Sequence, residues 1–146
     1  MSITEDDLLA YAKLLAANDA EECQLRSSMS RSYYAAFHAL LPLVEQLPPS
    51  AKCRGREITH VEVTERLVEW KVDNVCPDLL SYRDVKARAQ RAMDTARGKR
   101  VIADYRLSNE VTYSDAVGQI HRVEQVIRAA KTLVGVVQAG QDAATG

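Results

Sequence analysis

The sequence predicts an all-α protein, an up-and-down bundle of about five helices, on three observations. Apolar residues recur at three- and four-residue spacing along most of the chain, and no stretch of useful length alternates with the period of a strand. Hydrophobic residues make up 47% of the chain but aromatics only 5%, so the core must be built mainly from Leu, Val and Ala, which suits packed helices. The periodic segments are separated by mostly short breaks carrying capping or turn residues. A chain of 146 residues has room for a single core. Residues 1–138 read as one domain and 139–146, which lack periodicity, as a flexible C-terminal tail.

Thr4 is placed to cap a first helix, with Glu5, Asp6 and Asp7 suited to its positive end and Leu8, Leu9, Ala12, Leu15 and Ala16 as its apolar side. Asn18-Asp19 marks a break before a long second helix from about Ala20 to Gln46, in which Pro42 removes a backbone donor and predicts a kink. Pro48-Pro49 ends it, and Ser50 to Glu57 reads as a basic loop. Thr59, with Glu62 three residues on, reads as the capping box of a third helix carrying Val63, Leu67 and Trp70. Asp73-Asn74 and Pro77 close that helix, and a fourth begins at Asp78 or Ser81. Its helical-period positions are Val85, Ala89, Ala92, Met93, Ala96 and Ala103. After a polar connection, Ser114 is placed to cap a last helix with the seam Val117, Ile120, Val123, Ile127, Ala130, Val134 and Val137.

Charge and cysteine usage narrow the functional classes. The net charge is −1, so the whole molecule exerts no strong pull on nucleic acid, yet the distribution is uneven. Between Arg83 and Arg106 there are eight Lys or Arg against three Asp, while the first 25 residues hold six acids and one Lys. That asymmetry reads either as solvated faces or as an RNA-facing patch. Cys23, Cys53 and Cys76 are odd in number and share no CxxC spacing, which indicates neither a disulfide framework nor a zinc site. No basic-then-apolar leader and no apolar run near ~18 residues is present, so the expected location is cytoplasmic, with no membrane partner. Kinase, zinc-protease and esterase readings lack their motifs, and no cofactor or metal is expected.

The richest stretch is Ser30 to Leu40 of the second helix, which holds two of the six Tyr, the single Phe and one of three His. Arg31 and His38 are two helical turns apart and project from one side, with Tyr34 between them; Met29, Tyr33, Ala36, Phe37, Leu40 and Val44 form the apolar stripe opposite. Arg31-Ser32-Tyr33-Tyr34-Ala35-Ala36-Phe37-His38-Ala39 resembles the Arg-x-Tyr-Tyr-Ala-x-Phe-His-Ala stretch of the HEPN family (the higher-eukaryote and prokaryote nucleotide-binding domain), in its small stand-alone prokaryotic branch. His60 falls where those proteins carry a Lys-rich segment followed by His. Arg100-Val101-Ile102-Ala103-Asp104-Tyr105 is similar to their Arg-x-x-Ala-Asp-Tyr element.

The resemblance implies a helical bundle that forms homodimers and belongs among proteins that are often the toxin halves of toxin–antitoxin pairs, encoded beside a small nucleotidyltransferase. Its active relatives are metal-independent ribonucleases with an Arg, four to six residues, then a His, a spacing that Arg31 and His38 satisfy. The alternative is a non-catalytic helical module that pairs with an antitoxin or a nucleotidyltransferase-like protein.

In chemical terms, metal-free RNA cleavage needs a proton acceptor for the 2′-hydroxyl, suited to His, and a fixed cation for the developing phosphorane, suited to Arg. Arg31 and His38 are therefore the candidate catalytic pair; the competing reading has His38 as a satisfied core or interface residue and Arg31 paired with a carboxylate such as Asp104. Tyr34, His60, Arg56 and Arg100 are the candidate substrate-binding residues. Each has a structural alternative: packing for Tyr34, a helix start for His60, and for Arg100 an i,i+4 ion pair with Asp104, which is the preferred reading. Tyr33, Phe37 and Asp104 read as structural, and His121 as exposed and idle.

Overall fold

The helices begin where the chain supplies side-chain oxygens to free backbone N–H groups. The computed structural model describes residues 2–52, 58–72 and 80–145. Five helices are present, α1 (Glu5–Leu15), α2 (Glu22–Val44), α3 (His60–Glu69), α4 (Leu80–Tyr105) and α5 (Tyr113–Thr145), with no strand among the described residues. Reciprocal capping boxes start α1 (Thr4 with Asp7) and α2 (Glu21 with Gln24). α5 is started the same way by Thr112 and Asp115, two residues earlier than the Ser114 cap expected: Asp115 N–H donates to Thr112 Oγ1 at 3.2 Å, and Thr112 N–H to the Asp115 carboxylate at 2.9 Å.

The box expected at α3 is only half formed. Thr59 accepts from Glu62 N–H at 3.3 Å, but the Glu62 carboxylate turns inward to Ser50 and Arg66. α3 ends at Glu69, before the expected stop; 73–79 lie outside the described residues, as do Cys53, Arg54, Arg56 and Cys76. α5 continues to Thr145, past Gln138, where the apolar periodicity ends. Ala and Gln are strong helix formers, and extending an existing helix needs no apolar face.

α2 packs against all four other helices. Its sequence permits this because two stripes are buried. Large residues Met29, Tyr33, Leu40 and Val44 fill the core, while Ser28, Ser32, Ala35 and Ala39 let neighbouring backbones approach. Ser28 is fully buried and donates from Oγ to the Ala12 carbonyl of α1 at 2.7 Å. The main core joins α2 to Leu67 of α3, Met93 of α4, and Val123 and Leu133 of α5, with Trp70 packed at its edge. Pro42 lies in the last turn of α2 and is exposed; the helix runs on to Val44. Its missing N–H leaves the carbonyl of His38 without the usual i+4 donor.

Two helix C-termini are closed by arginines from another element. Arg26 of α2 shares the hydrogens of Nη1 among the carbonyls of Ile102 (3.2 Å), Ala103 (3.0 Å) and Arg106 (3.3 Å) at the end of α4. Its Nη2 reaches the carbonyls of Leu107 and Asn109 in the following connection. Glu22, one turn earlier, holds the guanidinium at 2.8 Å and accepts Val111 N–H with the same carboxylate oxygen. Arg66 of α3 repeats the arrangement: Nη1 donates to the carbonyls of Val44 (3.1 Å) and Leu47 (3.4 Å) at the end of α2, and Glu62 binds its Nε at 2.7 Å. In both cases a positive group meets the negative end of a helix dipole.

Arg26→Ala is expected to lower unfolding stability by about 1–2 kcal/mol in urea denaturation, the scale of charge-assisted hydrogen bonds lost from part-buried and exposed carbonyls. Arg26→Lys should restore only part, because a point charge cannot span the carbonyls the planar fork reaches. The hydrogen bonds from Arg66 and Ser50 hold the Glu62 carboxyl down to about 2, from an ordinary value of 4.5. A lowered folded-state pKa contributes stability that is fully present above 4.5 and is lost as pH falls towards 2. Denaturation at several acid pH values should therefore show a steeper loss of stability in the wild type than in Glu62→Gln.

Candidate functional site

Because α2 is central, only a narrow part of its circumference reaches solvent, and Arg31 and His38 occupy it. Both are exposed, and neither side chain has a hydrogen bond or ion pair among the described residues. Arg31 is not paired with Asp104, and His38 is not a core histidine. His38 stacks edge-on against Phe37 with ring centroids 5.5 Å apart. The two lie about 10 Å apart along the axis, from seven residues at ~1.5 Å rise.

A second group of predicted residues is brought together beside them. His60, the first residue of α3, sits against α2, with its ring 4.7 Å from Phe37, 5.4 Å from Tyr33 and 5.7 Å from Tyr34. Tyr33 Oη and His60 Nδ1 are 2.7 Å apart. Tyr33 is fully buried, and burial pushes its phenol up to about 12, so it stays protonated. A buried hydroxyl proton needs an acceptor; Tyr33 therefore donates to Nδ1, and the His60 proton is assigned to Nε2 on that ground. Burial, then the charges of Arg100 and Arg97, hold the His60 pKa below the ordinary 6.5. Neutral at pH 7, the ring offers a donor at Nε2 rather than a base at Nδ1.

Arg100 supplies the nearest fixed charge. It is buried, with Cζ 5.1 Å from the centroid of the Tyr33 ring and 5.8 Å from that of Tyr34, within the range of a cation–π contact. Its Nη1 donates to Asp104 at 3.2 Å, the i,i+4 pair expected, and Ser30 Oγ of α2 shares the same carboxylate oxygen at 3.3 Å. Arg100 Nε has no partner. The aromatic faces and one carboxylate thus offset the cost of burying this cation.

Tyr34 joins the two groups. It is half-buried, one turn from both Arg31 and His38 on α2, and it touches Tyr33 (5.5 Å), His60 and Arg100. A continuous band runs from Arg31 through Tyr34 and His60 to Phe37 and His38, backed by Tyr33 and Arg100. The site residues read from sequence are brought together here, except Arg56, which lies outside the described residues. Tyr33 carries more than the core role read from its stripe, since its hydroxyl sets the tautomer of His60. Arg97 and Ser30 were not identified from sequence. Arg97 stands three residues before Arg100 and seven before Asp104, a same-face spacing that marks it; a buried serine carries no such signal. No group of three or more His, Cys, Asp or Glu able to hold a metal occurs among the described residues, and Cys23 is exposed and unbonded. No described helix is long and apolar enough to cross a membrane.

No protein-family model, curated protein or solved structure matches the chain.

Arg97→Ala should raise the His60 pKa towards 6.5 in a pH titration of its ring carbons by NMR, because one of the two positive charges that disfavour the protonated ring is gone. In the wild type the same lowered pKa means that stability is full above 6.5 and declines as pH falls through the folded-state value.

Proposed function

We propose that this chain is a HEPN-like helical protein that binds RNA or nucleotide phosphate along the α2 band and cleaves RNA without metal through Arg31 and His38. The observation that carries the reading is that these two side chains are exposed and unpaired on one helix stripe, next to a neutral histidine and a buried arginine. The motif resemblance around Arg31–Ala39 supports it.

The chemistry assigns His38 as the group that takes the 2′-hydroxyl proton, since of the two exposed histidines without a hydrogen bond among the described residues, His38 and His121, it is the one on the α2 stripe with Arg31. Arg31 stabilises charge on the phosphorane with several N–H donors. His60 cannot take the base role through Nδ1, which Tyr33 occupies; it donates from Nε2 to a phosphate or base oxygen, and Tyr34 offers a ring edge and a hydroxyl. Two copies meeting at this band would double the positive charge on one phosphate, which fits a homodimer with the site at its two-fold axis. The protein then acts as the toxin half of a two-gene system.

A second reading, a non-catalytic module for an antitoxin or nucleotidyltransferase-like partner, is favoured by one feature. Val61 and Val68, two turns apart on α3, are both about half exposed and give this helix an apolar edge.

Purified protein incubated with mixed RNA in EDTA should produce fragments. His38→Ala and Arg31→Ala should each reduce the rate at least about a hundredfold, the scale of a lost general base or electrostatic stabiliser. Absence of cleavage across pH 5–9, with co-purification of a neighbouring gene product lost in Val61→Asp/Val68→Asp, would instead establish the interaction module.

A further inference from the structure

α4 carries a second basic face, turned away from the site. Arg88 and Arg97 are nine positions apart, half a turn out of phase at 100° per residue, so Arg88 points to the opposite side of α4 from the Arg97–Arg100–Asp104 stripe. There α4 and α5 form a groove of about 490 Å³ lined by Arg88, Arg91, Arg128 and Gln125, over a floor that includes the small side chains Ala89 and Ala129. It continues through the shared residues Arg91 and Gln125 into a second hollow of about 340 Å³, lined also by His121 and Arg122. Four arginines and a histidine line the combined path, and no carboxylate does.

Arg88, Arg91 and Arg128 are exposed, and none of their side chains has a hydrogen-bond or ion-pair partner among the described residues. Several other cations are paired, among them Arg26 with Glu22, Arg66 with Glu62, Arg100 with Asp104 and Lys13 with Glu124, whereas the three groove arginines share the unpaired state of Arg31. Three uncompensated guanidinium groups converging on one groove repel one another until an anion enters. Arg122 is held in place, its Nη1 donating at 2.7 Å to Gln119 Oε1, while the fully buried Gln119 donates to the Ala96 carbonyl at 2.8 Å.

We propose that the α4–α5 groove is a binding track for the sugar-phosphate backbone of single-stranded RNA, separate from the α2 band. It extends about 15 Å along α4 from Val85 to Thr95, at ~1.5 Å per residue, long enough for several phosphates and far more than a mononucleotide needs. Its lining holds no Phe, Tyr or Trp, and its contacts are dominated by the guanidinium charges and blind to sequence. It rests on the proposed function only in taking RNA as the ligand.

The test is fluorescence anisotropy with a 20-nucleotide uridine oligomer across 50–300 mM salt. The proteins are wild type, Arg88→Ala/Arg91→Ala/Arg128→Ala, the same three positions changed to Lys, and Arg31→Ala/His38→Ala. The triple Ala protein should bind at least about tenfold more weakly at low salt, and the slope of log affinity against log salt should be shallower by about 2, from three lost cations at ~0.7 each. The triple Lys protein should stay near wild type in both, showing that charge and not folding is read. Loss of binding in the triple Ala protein, together with cleavage by the wild type that Arg31→Ala/His38→Ala abolishes, supports both proposals. The same loss with no cleavage by any protein keeps the groove and removes the ribonuclease. Unchanged binding in the triple Ala protein overturns the groove and leaves the α2 band standing. No binding by the wild type overturns the groove, and so does self-association of the wild type that the triple Ala change abolishes without altering RNA binding, since the occupant is then a second copy.

Discussion

The fold depends on guanidinium groups that close the carboxyl ends of helices belonging to other elements. A helix end leaves carbonyls without intrahelical donors. Arg26 supplies that need for α4 and the connection after it, and Arg66 for α2. Each arginine is held by a glutamate one turn before it, so the pairs 22–26 and 62–66 work as oriented clamps rather than as surface ion pairs. The clamp at Arg26 is the more consequential. It fixes the last turns of α4 to α2, and those turns carry Arg100 and Asp104.

From that constraint the site follows. With α4 held against α2, Arg100 lies over the Tyr33 and Tyr34 rings, and its charge helps keep His60 neutral. α3 brings His60 in from the other side, where Tyr33 fixes its tautomer. The exposed Arg31 and His38 then stand beside a set of partly buried groups held in place by these contacts. α4 thereby separates two kinds of charge: a buried, ring-supported cation towards α2, and solvent-facing, uncompensated cations towards α5.

Much of this was legible in the residues. The 3.6-residue spacing gave all five helices, Thr4 and Thr59 as caps, and the division of α2 into packing and polar stripes. The Arg100–Asp104 pair followed from four-residue spacing and from the apolar company of Arg100 on its face. Other features left no local trace. Ser114 looked as good a cap as Thr112, because a cap is chosen by where the backbone turns. Glu62 fitted a capping box, but the stronger attraction of a buried guanidinium drew its carboxylate away. The α5 end lost its apolar period at Gln138 and stayed helical to Thr145, since periodicity reports burial and not helicity.

By itself the sequence determined the element types and the concentration of Arg, Tyr and His on one helix, which are set by contacts within a few turns of chain. Tertiary structure alone decided which groups meet. Tyr33 and His60 are 27 residues apart, Arg26 and Ala103 77, and Gln119 and Ala96 23. Local spacing says nothing about such distances, which are fixed by how helices cross. The tautomer and charge of His60 and the unpaired state of Arg88, Arg91 and Arg128 depend on those crossings, because a side chain's protonation and partners are set by neighbours that only packing supplies.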